Sequence, residues 1–202
     1  MNPIIRINEN DLRQMIKKSV IGVLNEMNEL TAYHGSKVNF DRFDIRKVKS
    51  GYGACKYGNG VYVTVDKSLA AHYAVGQTGK VRTPDGIVYT VEIPDYNGEN
   101  YILWNQPIGE KVYEKIKDYW ENPYEPEEQN WITPQRTGEE IFNNTGPYWS
   151  SLSEYGIDGV QVPDTTKEHR IVNFIIFDDS KVKILKKEHA THDGIRVNLQ
   201  DM

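Results

Sequence analysis

Three short motifs contain the residues whose types and spacing are best suited to chemistry. They are Tyr33-His34-Gly35-Ser36, Gly58-Asn59-Gly60-Val61-Tyr62, and a stretch from Ser68 that ends at Tyr73. A histidine ring nitrogen can hydrogen-bond to sugar hydroxyls, and a glycine lets a ligand approach the main chain. Two tyrosines can stack on a flat ring, more strongly when that ring is positively charged. Taken alone, each motif also has a structural explanation, as a strand-end histidine or as core tyrosines in a chain with 13 of them.

A further polar residue, Asn173, interrupts the apolar run 171–177. Strand alternation predicts that its amide shares a face with Ile171, Ile175 and Phe177. A buried amide needs hydrogen-bonding partners, which mildly favours a functional position. Asparagine can hydrogen-bond to a hydroxyl, but it is neutral and cannot act as a general base.

Strands and short helices must position these residues. β-Branched runs bounded by turn signals predict strands at 31–35, 61–64, 86–93, 159–163, 171–177 and 182–184. Asp66 is a predicted N-cap for a helix that runs through Tyr73. Further helices are predicted from Gly109 to Trp120 and, by the capping box Thr137 to Glu140, just beyond residue 137.

The predicted organisation is one domain with appendages. An N-terminal amphipathic helix or leader occupies 1–28, the domain occupies 29–187 with a helical insertion at about 105–150, and a patternless tail occupies 188–202. We expect the N-terminal helix to pack on the domain or to make homo-oligomer contacts.

Composition excludes several classes of function. The net charge of −5 gives no basic field that would draw the chain to nucleic acid or to an anionic membrane. A single cysteine, Cys55, excludes an internal disulfide and a cysteine-based zinc site. No apolar run approaches the roughly 20 residues that span a bilayer, and the N-terminus lacks a signal-peptide pattern. We therefore expect a soluble, intracellular protein that does not bind membranes or nucleic acid.

In this order, the three motifs resemble those of the ADP-ribosyltransferase superfamily, specifically the group that contains diphtheria toxin and the poly(ADP-ribose) polymerases. The resemblance extends over roughly residues 30–187, and it is closest to ADP-ribosyltransferase-like domains of phage and mobile-element polyvalent proteins. The further motifs that carry it are Trp104-Asn105-Gln106-Pro107, 137–141, 155–159 and 173–178. The N-terminal segment from Ile5 also resembles a segment seen on tailed-phage proteins.

The resemblance implies an α+β fold of two packed, mainly antiparallel β-sheets that form an NAD cleft with flanking helices. It implies NAD+ as co-substrate, held by His34, Gly35 and Ser36, with the nicotinamide ring between Tyr62 and Tyr73 and with Tyr57 nearby. It also implies a protein acceptor, and a phage-encoded protein that acts in the bacterial host cytoplasm or is carried in the virion.

The chain departs from the family at the catalytic position, where Asn173 stands in place of the usual glutamate. We therefore predict mono-ADP-ribosyl transfer or slow NAD hydrolysis, without polymer formation. The alternative is an inactive protein that keeps the fold in a structural or binding role, such as a virion component. An RNA-cleaving enzyme using His34 is disfavoured by the net charge.

Three other features of the sequence have residue types that could take part in chemistry. Glu168 is a candidate substitute carboxylate, but an exposed loop charge is the preferred explanation. His189 and His192 have a spacing compatible with a metal but lack a third ligand, so no metal site is predicted. Nothing orients Cys55 as a nucleophile.

Overall fold

An eight-stranded, mostly antiparallel β-sheet organises the fold, which is of mixed α/β type. The computed structural model describes residues 12–13, 29–50, 56–76, 85–119, 132–145, 149–163, 172–192 and 197–202. Apart from Leu12 and Arg13, the predicted N-terminal helix at 1–28 lies outside the described residues.

The strands and helices alternate along the chain. The strands are β1 (Glu29–Ser36), β2 (Val61–Thr64), β3 (Asp85–Pro94), β4 (Tyr101–Leu103), β5 (Gly159–Pro163), β6 (Val172–Ile176), β7 (Lys183–His192) and β8 (Val197–Asp201). The α-helices within the described residues are α1 (Lys67–Ala74), α2 (Gly109–Ile116) and α3 (Gly138–Thr145). Short 3-10 helices occupy Ile45–Ser50, Trp149–Tyr155 and Asp179–Lys181.

The sheet consists of two four-stranded halves. The strand order is β4-β5-β6-β2-β1-β3-β7-β8, and only β4 and β5 are parallel among these neighbours. The halves meet between β2 and β1, whose ladder consists of the pair Tyr33↔Thr64. We predicted two sheets, whereas the strands form one hydrogen-bonded sheet, because this pair joins the halves.

Each face of the sheet covers its own apolar core. On one face, both halves contribute to a shared core that includes Tyr89 and Ile93 from β3 and Phe174 and Ile176 from β6. On the other face, α2, α3 and the 3-10 helix around Trp149 cover the β4-β5-β6 half. A small alanine-rich core lies under α1. The sheet therefore has apolar side chains on both faces.

The segment after residue 182 corrects two predictions, the short final strand and the patternless tail at 188–202. β7 extends through His192, and β8 pairs with it from Val197 to Asp201. The pairing of β7 with β3 shifts register between Thr90 and Val91, which leaves Leu185 as an extra, exposed residue. This β-bulge breaks the two-residue alternation by which a strand is recognised in sequence.

The local signals for helices are largely confirmed. The carboxylate of Asp66 accepts hydrogen bonds from the main-chain nitrogens of Ser68 and Leu69 and so caps α1. The main-chain nitrogen of Glu140 donates to Thr137 Oγ1, and that of Thr137 donates to Glu140 Oε2, which completes the predicted capping box of α3. Helix α2 ends at Ile116, short of the predicted Trp120. Among the described residues, no helix is both long enough and apolar enough to cross a membrane.

Candidate functional site

The first two motifs meet at the β1–β2 junction, the place where the two halves of the sheet join. β1 pairs with β3 from Glu29 to Ser36, and β2 pairs with β6 from Val61 to Thr64. With each other, β1 and β2 form only the pair Tyr33↔Thr64. The remaining residues of the first motif therefore lie where the sheet divides, and this junction is the candidate site.

His34 is fixed in a neutral form at the junction. Its Nδ1 lies 2.7 Å from the main-chain oxygen of Tyr62, and because a carbonyl oxygen can only accept, Nδ1 must carry the proton. Burial lowers the pKa of His34 below the usual 6.5 and outweighs the opposing effect of this hydrogen bond. Nε2 has no hydrogen-bond partner within the described part of the chain. Within the described ranges, Nε2 is thus an acceptor without a partner.

Aromatic rings that the sequence analysis did not single out enclose His34. The Phe43 ring meets the imidazole edge-on, with centroids 5.1 Å apart, and Phe40 stacks on Tyr89 at 4.3 Å. The Tyr89 hydroxyl accepts from the nitrogen of Phe40 and donates to the carbonyl of Val38. Two phenylalanines in a polar loop soon after His34 were the available sequence signal. This loop is held firmly beside the imidazole.

Gly35 has a structural role that differs from the predicted one. A Cβ at this position would lie 1.9 Å from the carbonyl oxygen of Ala70 and 2.7 Å from the nitrogen of Ala74, both in α1. The glycine is therefore required for close approach of the helix, whether or not a ligand also contacts its main chain. The next residue, Ser36, accepts a hydrogen bond from the nitrogen of Val38 at 3.1 Å, which leaves its hydroxyl proton available to a ligand.

Tyr62 and Tyr57 form one hydrogen-bonded unit. The Tyr62 hydroxyl donates to the carbonyl of Gly58 at 2.8 Å and accepts from the nitrogen of Tyr57 at 3.0 Å. The indole nitrogen of Trp149 donates to the Tyr57 carbonyl at 3.1 Å, and the Tyr57 ring meets Trp104 edge-on at 4.7 Å. Both tyrosines pack at the border of the core around Trp149. The loop that carries Tyr57 is thus fixed from two sides.

Tyr73 lies on the same side of the sheet as Tyr62. Residues paired across antiparallel strands point to the same face of the sheet, so Tyr33 and Thr64 share one face. Because side chains alternate along a strand, Gly35 on β1 and Tyr62 on β2 lie on that face too. Helix α1 packs on that face, against Gly35. The Tyr73 ring is 50 % exposed. This ring is therefore accessible to a ligand.

Asn173 lies on this same face. It pairs with Thr64 of β2, and Ile175 and Phe177 belong to the core on this side of the sheet, so the predicted face is confirmed for these two residues. The side-chain amide of Asn173 is half-buried and has no hydrogen-bond partner among the described residues. A neutral polar group with open hydrogen-bonding capacity thus lies two strands away from β1.

The other sequence candidates are not brought to the junction. Cys55 and Glu168 lie outside the described residues, as does Ile171. His189 and His192 are three residues apart on β7 and therefore face opposite sides of the strand. Among the described residues, no group of three or more histidine, cysteine, aspartate or glutamate side chains is arranged to hold a metal ion.

The motif around Asp158 is structural. One carboxylate oxygen accepts from the amide of Asn100 at 2.8 Å, and the other accepts from the ammonium of Lys181 at 2.6 Å. The main-chain carbonyl of Asp158 also accepts from the nitrogen of Phe177. These bonds tie the loops before β4 and β5 to the end of β6 and leave Asp158 no role at the junction.

A cavity of about 350 Å³ lies elsewhere in the molecule, at the opposite end of β1 from His34. It is lined by Glu29, Glu92, Ile93, Pro94, Ser180, Lys181 and Lys183. The Glu92 carboxylate accepts from the Lys183 ammonium at 2.7 Å across this cavity wall. The cavity and the candidate site are therefore separate.

Neither the scan against protein-family models nor the search of curated proteins finds a match to this chain. The function is therefore inferred from the chemistry of the junction itself.

Proposed function

We propose that this protein is an NAD+-dependent mono-ADP-ribosyltransferase that modifies a protein acceptor. NAD+ would lie across the β1–β2 junction, with His34, Gly35 and Ser36 on one strand and Tyr62 on the next. We also propose, from the resemblance alone, that the protein is phage-encoded and acts in the host cytoplasm.

One observation carries the proposal, namely that two polar groups near the junction, the imidazole Nε2 of His34 and the amide of Asn173, have no hydrogen-bond partner among the described residues. Because Nδ1 donates to the Tyr62 carbonyl, Nε2 of His34 can act only as an acceptor, and ribose hydroxyls are donors that suit it. The amide of Asn173, on the face that Tyr62 shares, can hydrogen-bond to the hydroxyls of a second ribose. A dinucleotide carries two riboses, whereas a single nucleoside carries one.

The tyrosines suit a cationic ring. The nicotinamide of NAD+ is a pyridinium, and an aromatic ring over such a cation contributes roughly 0.5–2 kcal/mol. Tyr62 is rigid because its hydroxyl is held by Gly58 and Tyr57, whereas Tyr73 is accessible on α1. In this proposal, the two rings clamp the nicotinamide from opposite sides.

The reaction requires little acid–base chemistry from the protein. The bond between the ribose anomeric carbon and the pyridinium nitrogen breaks, and its electron pair leaves with neutral nicotinamide. The acceptor nucleophile then bonds to the anomeric carbon and releases its proton, if it carries one, to water. Asn173 orients the sugar but supplies no charge to the developing cation. We therefore expect slow turnover and no polymer.

The test measures nicotinamide release from NAD+ by the purified protein, together with labelled transfer into a bacterial lysate. Tyr62→Ala should abolish both, and Asn173→Ala should slow them roughly 2- to 10-fold, the value of one lost hydrogen bond. Tyr96→Ala, at an exposed tyrosine outside the junction, is the matched control and should leave both unchanged. Turnover that survives Tyr62→Ala would refute the assigned site.

The second candidate is a protein that keeps this fold and binds NAD+ without turnover, for example as a virion component. The observation that favours it is the neutral Asn173 at the position where the family carries a glutamate. Asn173→Glu discriminates the two. If the wild-type protein binds NAD+ but releases no nicotinamide, and Asn173→Glu restores release, the protein is a binder that lacks one catalytic group.

A further inference from the structure

Helix α1 lies unusually close to the sheet. Besides Gly35, a Cβ at Gly86 of β3 would lie 2.1 Å from the carbonyl oxygen of Ala74. The helix contributes Ala70, Ala71 and Ala74 to the small core beneath it. The buried side chains of this helix are all alanines, so side-chain packing alone contributes little to holding it on the sheet.

The N-terminal end of α1 is held by a buried charge on β7. The Lys67 ammonium lies 2.5 Å from Glu188 Oε2, and the Glu188 side chain is only 7 % exposed. Oε2 makes no hydrogen bond in the described part of the chain, so this contact is a charge pair rather than an aligned hydrogen bond. The other neighbouring charges are Lys186, 3.4 Å from Glu188 Oε1, and Asp201, 2.5 Å from Lys186. Ion pairs thus link β8, β7 and α1 in series.

The C-terminal strands also supply apolar contacts to α1. Ala190 of β7 is fully buried in the core under the helix, and Leu199 of β8 packs against it. A buried carboxylate needs a counter-charge, because burying an unpaired charge is strongly destabilising. Lys67 is therefore drawn to Glu188 whenever α1 is docked.

We propose that β7 and β8 form a clamp that positions Tyr73 through α1, with Glu188 as the positioning residue. This inference rests on the proposed function, in which Tyr73 contacts nicotinamide. Tyr73 lies in the last turn of the same eight-residue helix whose first residue, Lys67, pairs with Glu188. Because the helix has only eight residues, we expect loss of the pair at its start to displace the Tyr73 ring at its end.

The test uses Glu188→Gln, which keeps the side-chain size and removes the charge. Amide hydrogen exchange should become faster in α1 and remain unchanged in α2. The affinity for NAD+ should fall by roughly 2- to 30-fold, the range for substitutions that act through a neighbouring element. Glu92→Gln is the matched control, because Glu92 pairs with Lys183 between β3 and β7 and lies towards the opposite end of β3 from Gly86, where α1 packs. It should change neither readout.

A double-mutant cycle then separates positioning from general destabilisation. In a Tyr73→Ala background, Glu188→Gln should no longer change the affinity for NAD+. An equal loss in both backgrounds would overturn the positioning role, and so would unchanged hydrogen exchange in α1. If the wild-type protein does not bind NAD+, the proposed function fails, and hydrogen exchange still decides whether the clamp exists. Lys67→Gln tests the same pair from the helix side should Glu188→Gln not fold.

Discussion

Replacing Gly35 by alanine tests the close approach of α1 to the sheet. The added methyl would lie 1.9 Å from the carbonyl oxygen of Ala70 and 2.7 Å from the nitrogen of Ala74. Both obstacles are main-chain atoms of one helix, so no side-chain rotation relieves the contact. The helix must instead move away from β1 as a unit.

Such overpacking costs about 1–3 kcal/mol, and we expect the upper end because the main chain must shift. For a domain of this size, 1 kcal/mol lowers the melting temperature by about 2–4 °C. The expected fall for Gly35→Ala is therefore about 6–12 °C, measured by thermal unfolding monitored by circular dichroism.

Gly86→Ala is the matched control, because its methyl would meet the carbonyl of Ala74 in the same helix at 2.1 Å. Both variants should lose similar stability. If Gly35 also offers its main chain to NAD+, Gly35→Ala should lose more affinity than Gly86→Ala. A Gly35→Ala protein that melts at the wild-type temperature would refute the argument for close approach.

Three further predictions concern single residues. Tyr62→Phe should lower the free energy of unfolding, measured by chemical denaturation, by about 1–3 kcal/mol, because it removes the hydroxyl that bonds to Gly58 and Tyr57. The affinity for NAD+ should persist, because the ring remains, and its loss would contradict ring stacking. Burial lowers the pKa of His34 in the folded protein below the usual 6.5. As the pH falls below about 6.5, the unfolded chain therefore binds a proton at His34 before the folded protein does. The free energy of unfolding should decrease over this range, down to the lower pKa of the folded state. A His34→Gln variant with the same pH dependence would refute this assignment. Asp66→Ala should cost about 1 kcal/mol through loss of the α1 cap, whereas an unchanged denaturation midpoint would show that the cap is dispensable.

Local chemistry made several elements predictable from the sequence. β2 and β5 have the predicted bounds, and the Asp66 cap and the Thr137 capping box act within a few residues of themselves. Such signals need no knowledge of the rest of the fold. Elements with a local cause were therefore found where they were expected.

Features that depend on distant partners were not predictable. The bulge at Leu185 arises from the pairing of β7 with β3. Because it interrupts the alternation of side chains, the full length of β7 cannot be recognised from the sequence. The sequence pattern gives Gly35 a possible ligand contact but does not show that α1 packs against it. The sequence also did not show that Phe43 would lie against His34. At the candidate site, residue types were predictable and their surroundings were not.

The order of the strands makes the two halves of the sheet inseparable. One half takes β2, β4, β5 and β6, the other takes β1, β3, β7 and β8, so neither half is a continuous piece of chain. Pairing Thr64 with Asn173 closes a loop of roughly 110 residues. The part of the loop-closure entropy that depends on loop length costs about 4 kcal/mol. Long-range pairings of this kind slow folding. The junction is thus among the last regions to assemble, and a proteolytic cut that separates β2 from β6 should yield no fragment with a partial site.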